Sequence, residues 1–458
     1  MKRVAAMLAL ALLAGRANAW EAQTTHAGLA EQAALSSRLH KRLVAIGFDG
    51  GLFEQLTIPP ADAPVLMDNL KLLSPTHGSV PDTRGRQTAL AWLAAGASLA
   101  DIPARHGANH FYDPSTQRGW QRPGRGVIEG LSDTVREAVG RASVPAKGMP
   151  APDWVTAKDN PFNLAQFLDQ YGKAVSASTP GERSRHMAAA LIAAGGILHV
   201  LGDLGAPSRV RGDEGAHFEA LGGGPDDLGS RFERIAALAY GRLGVPAPAR
   251  VITRERLRDY FSNAAGSGLA DLIARTYFSP NTLPSSTRVS ADTKPRLAKL
   301  QPVLPKRLNL MAASRDEGTT LRDGDTCLAR YRVEHGLVSF YLDDECMLEQ
   351  VDAILPEVSA FEAGLLDFLL RGELVLTAAS GQIVVTAPDL GGGEVDVLVE
   401  DALGVRKSIG KLAGKTGGGE LGRVTLPAEG VRVVAVFRGA DLAGEPVVAV
   451  GGVALSAR

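Results

Sequence analysis

The stretch from residue 188 to residue 207 constrains the fold most, because it is long and apolar yet contains two ionisable side chains. His199 and Asp203 are four residues apart, a spacing that places both side chains on one face of an α-helix, about one turn from each other. The pattern therefore predicts a core helix that buries an imidazole and a carboxylate. Such a pair is either a hydrogen-bonded core pair or part of a cation site, since burying a lone carboxylate is costly.

The ends and the surface of this helix can also be inferred. Its apolar pattern extends over residues 180–206, and Pro207 ends it because proline lacks the amide hydrogen that a helix interior needs. Gly195 and Gly196 carry no side chains and predict the close approach of a neighbouring helix.

Composition places the chain among folded proteins. Its 458 residues are 45% hydrophobic and 22% charged, which is enough apolar material for one large or two ordinary domains. The 49 Lys and Arg residues balance the 50 Asp and Glu residues, giving a formal net charge of -1. There is thus no overall basic charge of the kind that indicates a nucleic-acid partner. No obligate protein partner is evident either.

The first 19 residues have the pattern of a secretory signal peptide. Lys2 and Arg3 precede an apolar segment over residues 4–13, and Ala17-Asn18-Ala19 is a small-x-small cleavage signal. We therefore expect a secreted or periplasmic protein whose mature chain begins at Trp20. The free amino group and the carbonyl of that residue would form a chelating pair.

Periodicity divides the remaining chain into two parts. Residues 20–372 read as an all-α domain, with helices expected over residues 24–34, 87–95, 160–175, 180–206, 226–243, 253–277 and 349–371. Residues 373–458 contain short β-branched runs separated by glycine-rich turns, which predict a small all-β sandwich of the immunoglobulin-like type. The sandwich contains no histidine, and we assign it no chemistry.

The chain has two cysteines, Cys327 and Cys346. They flank two strand-like runs joined by Glu334-His335-Gly336, and a hairpin would bring its two ends together. An exported protein meets oxidising conditions, so a disulfide between them is expected. Two reduced thiols are the alternative.

Several short motifs occur in a fixed order and together resemble those of the bacterial zinc-dependent phospholipases C. Related zinc-dependent nucleases that cut single-stranded nucleic acid share that fold. The motifs are Trp20, Thr25-His26, Gly96-Ala97-x-x-x-Asp101, Asn109-His110-Phe111-Tyr112-Asp113-Pro114 and His199-x-x-x-Asp203-x-x-x-Pro207. The resemblance covers about residues 20–372 and implies an all-α multi-helix domain around a zinc cluster.

The resemblance also implies the ligands of two zinc ions. One would be held by the amino nitrogen and carbonyl of Trp20 with His26. His110 and His199 would hold the other, with Asp101 as a further ligand or as the hydrogen-bond partner of the attacking water. Asp203 would bridge the two ions. Apart from the Trp20 carbonyl oxygen, all of these donors are nitrogen or carboxylate oxygen, which zinc accepts.

The chain departs from this family at Arg209, where the family usually has a histidine. His217 and Glu219 offer the residue types of a third zinc site, but their i,i+2 spacing does not place them on one helix face. We therefore expect two zinc ions rather than three. Arg209 could instead stabilise phosphate charge, because a guanidinium matches phosphate oxygens; the alternative is a simple ion pair with Asp213 or Glu214.

A two-zinc centre implies the hydrolysis of a phosphodiester. The phospholipase branch of the family implies that a metal-bridged hydroxide cleaves a glycerophospholipid to diacylglycerol and a phosphorylated head group, with a phospholipid membrane surface as partner. Aromatic residues make up 5% of the chain, and no basic-aromatic pattern lies near the motifs. Both features make the nuclease branch less favoured. A third hypothesis is a weakly active or inactive metal-binding scaffold whose sandwich attaches to a surface.

Overall fold

A computed structural model of the chain describes residues 22–73, 80–121, 147–217, 219–221, 228–283, 287–288, 319–334, 337–413, 417, 419–425 and 428–455. Residues 1–19, expected as a signal peptide, and Trp20 lie outside these ranges. The described residues form a helical body followed by an all-β part, which confirms the predicted order of fold classes.

The helical body surrounds the core helix expected from the sequence. Its helices are α1 (Thr25–Ser36), α2 (Leu39–Ala45), α3 (Pro64–Leu70), α4 (Ala89–Leu99), α5 (Ala151–Trp154), α6 (Leu164–Ser176), α7 (Pro180–Asp203), α8 (Pro207–Val210), α9 (Arg231–Tyr240), α10 (Leu257–Phe261), α11 (Leu269–Thr276) and α12 (Asp344–Leu369). Helix α7 begins with a capping box between Thr179 and Glu182, and Pro180 occupies its first turn.

Capping residues explain where several helices differ from the sequence prediction. Helix α6 begins after Asn163 rather than after Asn160, because the Asn163 side chain accepts the Gln166 amide. The prediction of a single helix over residues 253–277 is wrong, because the structure has two helices there, α10 and α11. The carboxylate of Asp271 accepts the amides of Asn263 and Gly268, which ends one helix and begins the next.

The body also carries short strands. Two of them, β1 (Gln55–Thr57) and β2 (Arg86–Thr88), form one pair, and β3 (Glu219–Ala220) and β4 (Leu228–Gly229) form another. A four-stranded antiparallel sheet has the order β5-β8-β7-β6. Its strands are β5 (Thr287–Arg288), β6 (Thr319–Asp323), β7 (Thr326–Glu334) and β8 (Leu337–Tyr341). Strands β7 and β8 are the hairpin expected from the sequence.

The disulfide between Cys327 and Cys346 is present, as expected. Its surroundings differ from the prediction, because the cysteines do not close the ends of the hairpin. Cys327 lies within β7, and Cys346 lies in the first turn of α12, where its amide donates to the cap residue Asp343. The bridge therefore fastens the small sheet to α12, the longest of the helices in the described ranges.

The C-terminal part is a sandwich of two antiparallel sheets. One sheet has the order β13-β10-β9 and the other β12-β11-β14-β15. The strands are β9 (Val375–Ala379), β10 (Gln382–Ala387), β11 (Leu390–Glu400), β12 (Arg406–Ala413), β13 (Gly419–Thr425), β14 (Arg432–Asp441) and β15 (Pro446–Ala454). Strand β12 was not predicted, because its exposed positions interrupt the apolar alternation. It pairs with β11 rather than β13, unlike the fourth strand of a constant-type immunoglobulin domain.

The four-stranded sheet of the sandwich buries side chains on both of its faces. One face shares a core with the three-stranded sheet and includes Val395, Val397, Val433, Ala435 and Phe437. The other face joins the core of the helical body through Leu398, Val434, Val436, Val448 and Val450. Alternating residues of β14 thus enter two different cores, as the two-residue period of a strand requires.

Polar contacts add to this junction. The buried guanidinium of Arg406 donates to the Val175 carbonyl at 2.6 Å and to the Glu400 carboxylate at 2.6 Å. Its backbone amide donates to the Ser178 carbonyl at 2.8 Å. The bonds to Val175 and Ser178 tie β12 to the last turn of α6 and to the loop between α6 and α7.

Helices α4 and α7 cross at very short distance, and this contact positions the polar residues of both. A Cβ at Gly195 would collide with the Leu93 carbonyl oxygen of α4, and a Cβ at Gly96 would collide with the Ile192 carbonyl oxygen of α7. The expectation that Gly195 admits a neighbouring helix is therefore confirmed. Gly196 instead faces the side chain of Phe162.

Helix α7 is also long and apolar enough to cross a membrane by length and composition. Of its most hydrophobic 18-residue window, 89% is buried inside the protein. That degree of burial is what the central helix of a folded body shows.

We predict that Gly195→Ala destabilises the protein, because its methyl group must push α4 away. The loss should be about 1–3 kcal/mol, the usual range for overpacking a core. Gly181→Ala in the same helix is the matched control, since a Cβ there meets nothing within 4 Å. It should leave the stability unchanged or raise it by up to about 1 kcal/mol. Urea unfolding of both variants checks this, and equal stabilities would contradict the close crossing.

Candidate metal centre

The end of α7 brings together polar residues from four separate parts of the body. Helix α7 contributes His199 and Asp203, and His26 lies in the first turn of α1. Asp101 follows α4, and His110 follows the 3-10 segment Ala104–Asn109. All five side chains are buried.

Asp203 is the hub of this cluster. Its Oδ1 lies 3.0 Å from His26 Nε2, and its Oδ2 lies 2.7 Å from His110 Nδ1. The same Oδ2 lies 3.3 Å from His199 Nε2 and 3.6 Å from Arg209 Nη1. One carboxylate therefore contacts residues that are distant from one another in sequence.

Four of these residues form a group that could hold a metal ion. One ligand atom from each of Asp101, His110, His199 and Asp203 lies within 4.8 Å of the others. Asp101 Oδ2 lies 3.4 Å from His199 Nε2, and Asp101 Oδ1 lies 3.4 Å from His110 Nδ1. These separations are close to the edge of about 3.3 Å that bonds of about 2.0–2.1 Å give in a tetrahedral zinc site.

Buried polar atoms of the cluster that have no hydrogen-bond partner support a cation-binding site. His199 Nδ1 bonds the Ala97 carbonyl oxygen at 2.7 Å, so in the neutral imidazole Nδ1 carries the hydrogen and Nε2 carries the lone pair. Among the described residues, His199 Nε2 and Asp101 Oδ2 lie 3.4 Å apart and have no hydrogen-bond partner although they are buried. Buried polar atoms are almost always paired, and a cation would satisfy these.

The electrostatics of the cluster show how strongly the carboxylates favour a positive charge. Burial opposes a charge on His199, yet the carboxylates of Asp203 and Asp101 outweigh it and raise its pKa to about 10. Burial also opposes a charge on Asp203, but Arg209 and His199 hold its pKa well below the usual value. In the absence of a metal, the His199 proton takes the place of the cation.

His26 belongs to the same cluster but has a different environment. Its ring stacks on that of His199 with centroids 3.6 Å apart, and burial together with His199 lowers its pKa to about 4. The imidazole of His26 is therefore neutral near pH 7, which is the state a metal ligand needs.

Arg209 is buried beside this cluster and makes an ion pair that the sequence did not predict. Its Nε donates to Glu233 Oε1 at 3.1 Å, and its guanidinium lies 4.6 Å from the centre of the Phe111 ring. Arg209 pairs with neither Asp213 nor Glu214, the two partners that the sequence analysis considered. Asp213 accepts bonds from Asn281, and Glu214 accepts the Gln121 amide.

His217, one of the two residues considered for a third zinc, is not a member of the four-residue group. His217 Nε2 contacts the Ser208 hydroxyl at 3.1 Å, and His217 Nδ1 lies 3.9 Å from Glu233 Oε1. Glu219 pairs through its backbone with Gly229, and its side chain lies outside the described part of the structure. The same is true of all of Trp20, so its place at the site stays a prediction.

Two buried acids near the cluster were missed. Burial raises the pKa of Glu233 to about 8 although Arg209 opposes the shift, and burial raises the pKa of Glu362 well above its usual value. Glu233 lies inside the helix expected over residues 226–243, and the sequence pattern did not distinguish it from a solvent-facing acid. Glu362 did carry a signal, because it is a single acid among Phe361, Ala363 and Leu365, the same pattern that marked Asp203.

Comparisons with known proteins add little to this picture. No family model and no curated protein matches the chain. Solved structures that are similar to it include two alpha-toxins. The alpha toxin from Clostridium absonum is 11% identical, with 95% of this chain and 96% of that chain covered and a TM-score of 0.31. An alpha-toxin of Clostridium perfringens from avian strain SWCP is 10% identical, with 95% and 99% covered and a TM-score of 0.30. Similarity at this level does not assign an activity or any site residue to this chain.

We predict that zinc binding releases a proton from His199. Zinc needs the neutral imidazole, and a pKa of about 10 keeps the metal-free residue protonated near neutrality. The apparent zinc affinity should therefore rise about tenfold per pH unit between about pH 7 and 9. Chelator competition at several pH values measures this slope.

The control for this experiment is His186→Gln. His186 bonds Gln170 away from the cluster, so its loss should leave the slope unchanged. A zinc affinity that is independent of pH would show that His199 does not exchange its proton for the metal.

Proposed function

We propose that the protein is a zinc-dependent phosphodiester hydrolase of the phospholipase C type, exported to the periplasm or the exterior. Its substrate would be a glycerophospholipid, cleaved to diacylglycerol and a phosphorylated head group. The helical body, residues 20–372, would carry the catalysis, and residues 373–458 would form an accessory sandwich. Export is inferred from the pattern of the first 19 residues.

The observation that carries the proposal is the buried group of Asp101, His110, His199 and Asp203. Its nitrogen and carboxylate donors are those that zinc prefers, and its unpartnered atoms lack a counter-charge. When bound, zinc supplies Lewis acidity and lowers the pKa of a water molecule towards about 7. That is the chemistry that the hydrolysis of a phosphodiester needs.

The protein's own residues would hold the metal ions and position the attacking water. Asp203 contacts both His26 and His110, and these contacts support the proposal that its carboxylate would hold both ions. His26 and the amino terminus of Trp20 would complete the second position. Asp101, at the edge of the cluster, would be a ligand or would hold the attacking water.

Arg209 would stabilise the charge of the substrate phosphate. Its Nη1 lies 3.6 Å from Asp203, so a fixed positive charge stands at the border of the cluster. Its Nε is held by Glu233 and its guanidinium by the Phe111 ring, which together fix its orientation. A fixed guanidinium can meet phosphate oxygens without reorganising during the reaction.

The aromatic residues near the cluster favour a lipid over a nucleic acid. Phe111 and Trp120 are buried against each other, with ring centroids 4.8 Å apart. Rings engaged in this way are poor platforms for stacking bases, which a single-strand nuclease requires.

The substrate class can be tested directly. Purified zinc-loaded protein should hydrolyse phosphatidylcholine vesicles and a chromogenic phosphodiester, and it should leave single-stranded DNA intact. Cleavage of the DNA alone would support the nuclease alternative. No turnover of any of the three would favour the metal-binding scaffold.

We predict that Asp203→Asn reduces turnover of the preferred substrate by more than about 10³-fold, since losing the bridging ligand removes several kcal/mol of metal-derived stabilisation. Asp213→Asn is the matched control, because Asp213 is equally buried but bonds Asn281. It should keep most of the activity. Initial rates at saturating zinc measure both, and an active Asp203→Asn enzyme would contradict the proposal.

We predict two tightly bound zinc ions per chain. The buried guanidinium of Arg209 would repel a third cation near His217 and Glu233. Arg209→His replaces that charge with a ligand and should raise the number to three. Elemental analysis of dialysed protein measures the number, and three ions in the unsubstituted protein would refute the prediction.

A further inference from the structure

Glu362 is a fully internal acid that the proposed chemistry does not yet use. It lies in α12 and is 1% exposed. Among the described residues, neither of its carboxyl oxygens has a hydrogen-bond partner. A carboxyl group buried in this way lowers the stability of a protein unless another group needs it.

The surroundings of Glu362 indicate which group that is. A Cβ built on Gly202 would lie 2.5 Å from Glu362 Oε1 and 3.4 Å from His26 Nδ1. The missing side chain of Gly202 therefore leaves a space that the acid and the imidazole both border. His26 Nδ1 is itself buried without a partner in the described part of the chain.

The other nitrogen of this imidazole faces the candidate metal centre. His26 Nε2 lies 3.0 Å from Asp203 Oδ1. The ring thus stands between two carboxyl groups, with one nitrogen towards Asp203 and the other towards the space that Glu362 borders. Histidine ligands of metal ions commonly donate their second N–H to a carboxylate or a carbonyl, which fixes the tautomer and the ring orientation.

We propose that Glu362 is the positioning residue of His26. With the metal bound, its carboxyl oxygen would accept the Nδ1 hydrogen, which leaves the Nε2 lone pair for the metal centre. His199 shows the same arrangement with a different acceptor, because its Nδ1 bonds the Ala97 carbonyl oxygen at 2.7 Å. The inference rests on the proposed metal centre and assigns to it a residue from a helix that carries none of the predicted ligands.

The zinc affinity of the full mature protein tests this role. Glu362→Met removes the acceptor while nearly keeping the volume, and the zinc affinity should fall about 10- to 100-fold, as is usual when such a partner is lost. Glu362→Gln retains an acceptor oxygen and should lose less. Chelator competition gives the affinities, and ¹⁵N NMR of the zinc-loaded protein should show a hydrogen-bonded Nδ1–H on His26 in the unsubstituted chain and the loss of that hydrogen bond in Glu362→Met.

Gln350→Met is the matched control. Gln350 is a fully buried polar residue of the same helix, and it donates to the Leu328 carbonyl away from the cluster. Its replacement should leave the zinc affinity unchanged, even if the protein unfolds more easily.

The outcomes separate the two proposals. If Glu362→Met binds zinc as tightly as the unsubstituted protein, Glu362 has only a packing role and the positioning proposal is overturned. If the unsubstituted protein binds no zinc, both proposals fail. A loss of zinc affinity in a protein that hydrolyses none of the substrates supports the positioning role and overturns only the assigned reaction.

Discussion

The structure depends on compensating the buried charge of Asp203. This carboxylate has no exposure to solvent, and its partners come from α1, the segment after α4, the end of α7 and α8. A single acid thereby draws four parts of the chain to one point. The cost of burying it is offset by the positive charges of Arg209 and His199 and, in the proposed function, by a metal cation.

The apolar packing of the body and the chemistry of the cluster are parts of the same contact. Glycines at the crossing of α4 and α7 let the two backbones approach closely. That approach brings the Ala97 carbonyl within hydrogen-bond distance of His199 and so decides which ring nitrogen is free. A larger residue at the crossing would disturb the core and would also misplace a ligand. Gly202 also serves the cluster, because the absence of a side chain there makes room for Glu362 beside His26.

The sandwich contributes to the fold of the body without contributing to the cluster. Its four-stranded sheet gives one face to the helical body, and Arg406 binds the backbone between α6 and α7. That loop leads into α7, the helix that carries His199 and Asp203. The sandwich thus supports the central helix from the end opposite to the metal centre, while every residue of the candidate centre belongs to the body.

The sequence alone determined the order of fold classes, the central helix and most members of the cluster. Spacing within one helix fixes which side chains share a face, so His199 and Asp203 were readable as a pair, and ordered motifs added His26, Asp101 and His110. Local patterns could not give the partner of Arg209 or the role of Glu362, because Glu233 and Glu362 reach the cluster from other helices. Strand β12 and the break between α10 and α11 were also missed, since side-chain caps and sheet pairing override periodicity. Tertiary structure decided these points because the energy of a buried charge depends on which groups surround it in space, and neighbours in space need not be neighbours in sequence.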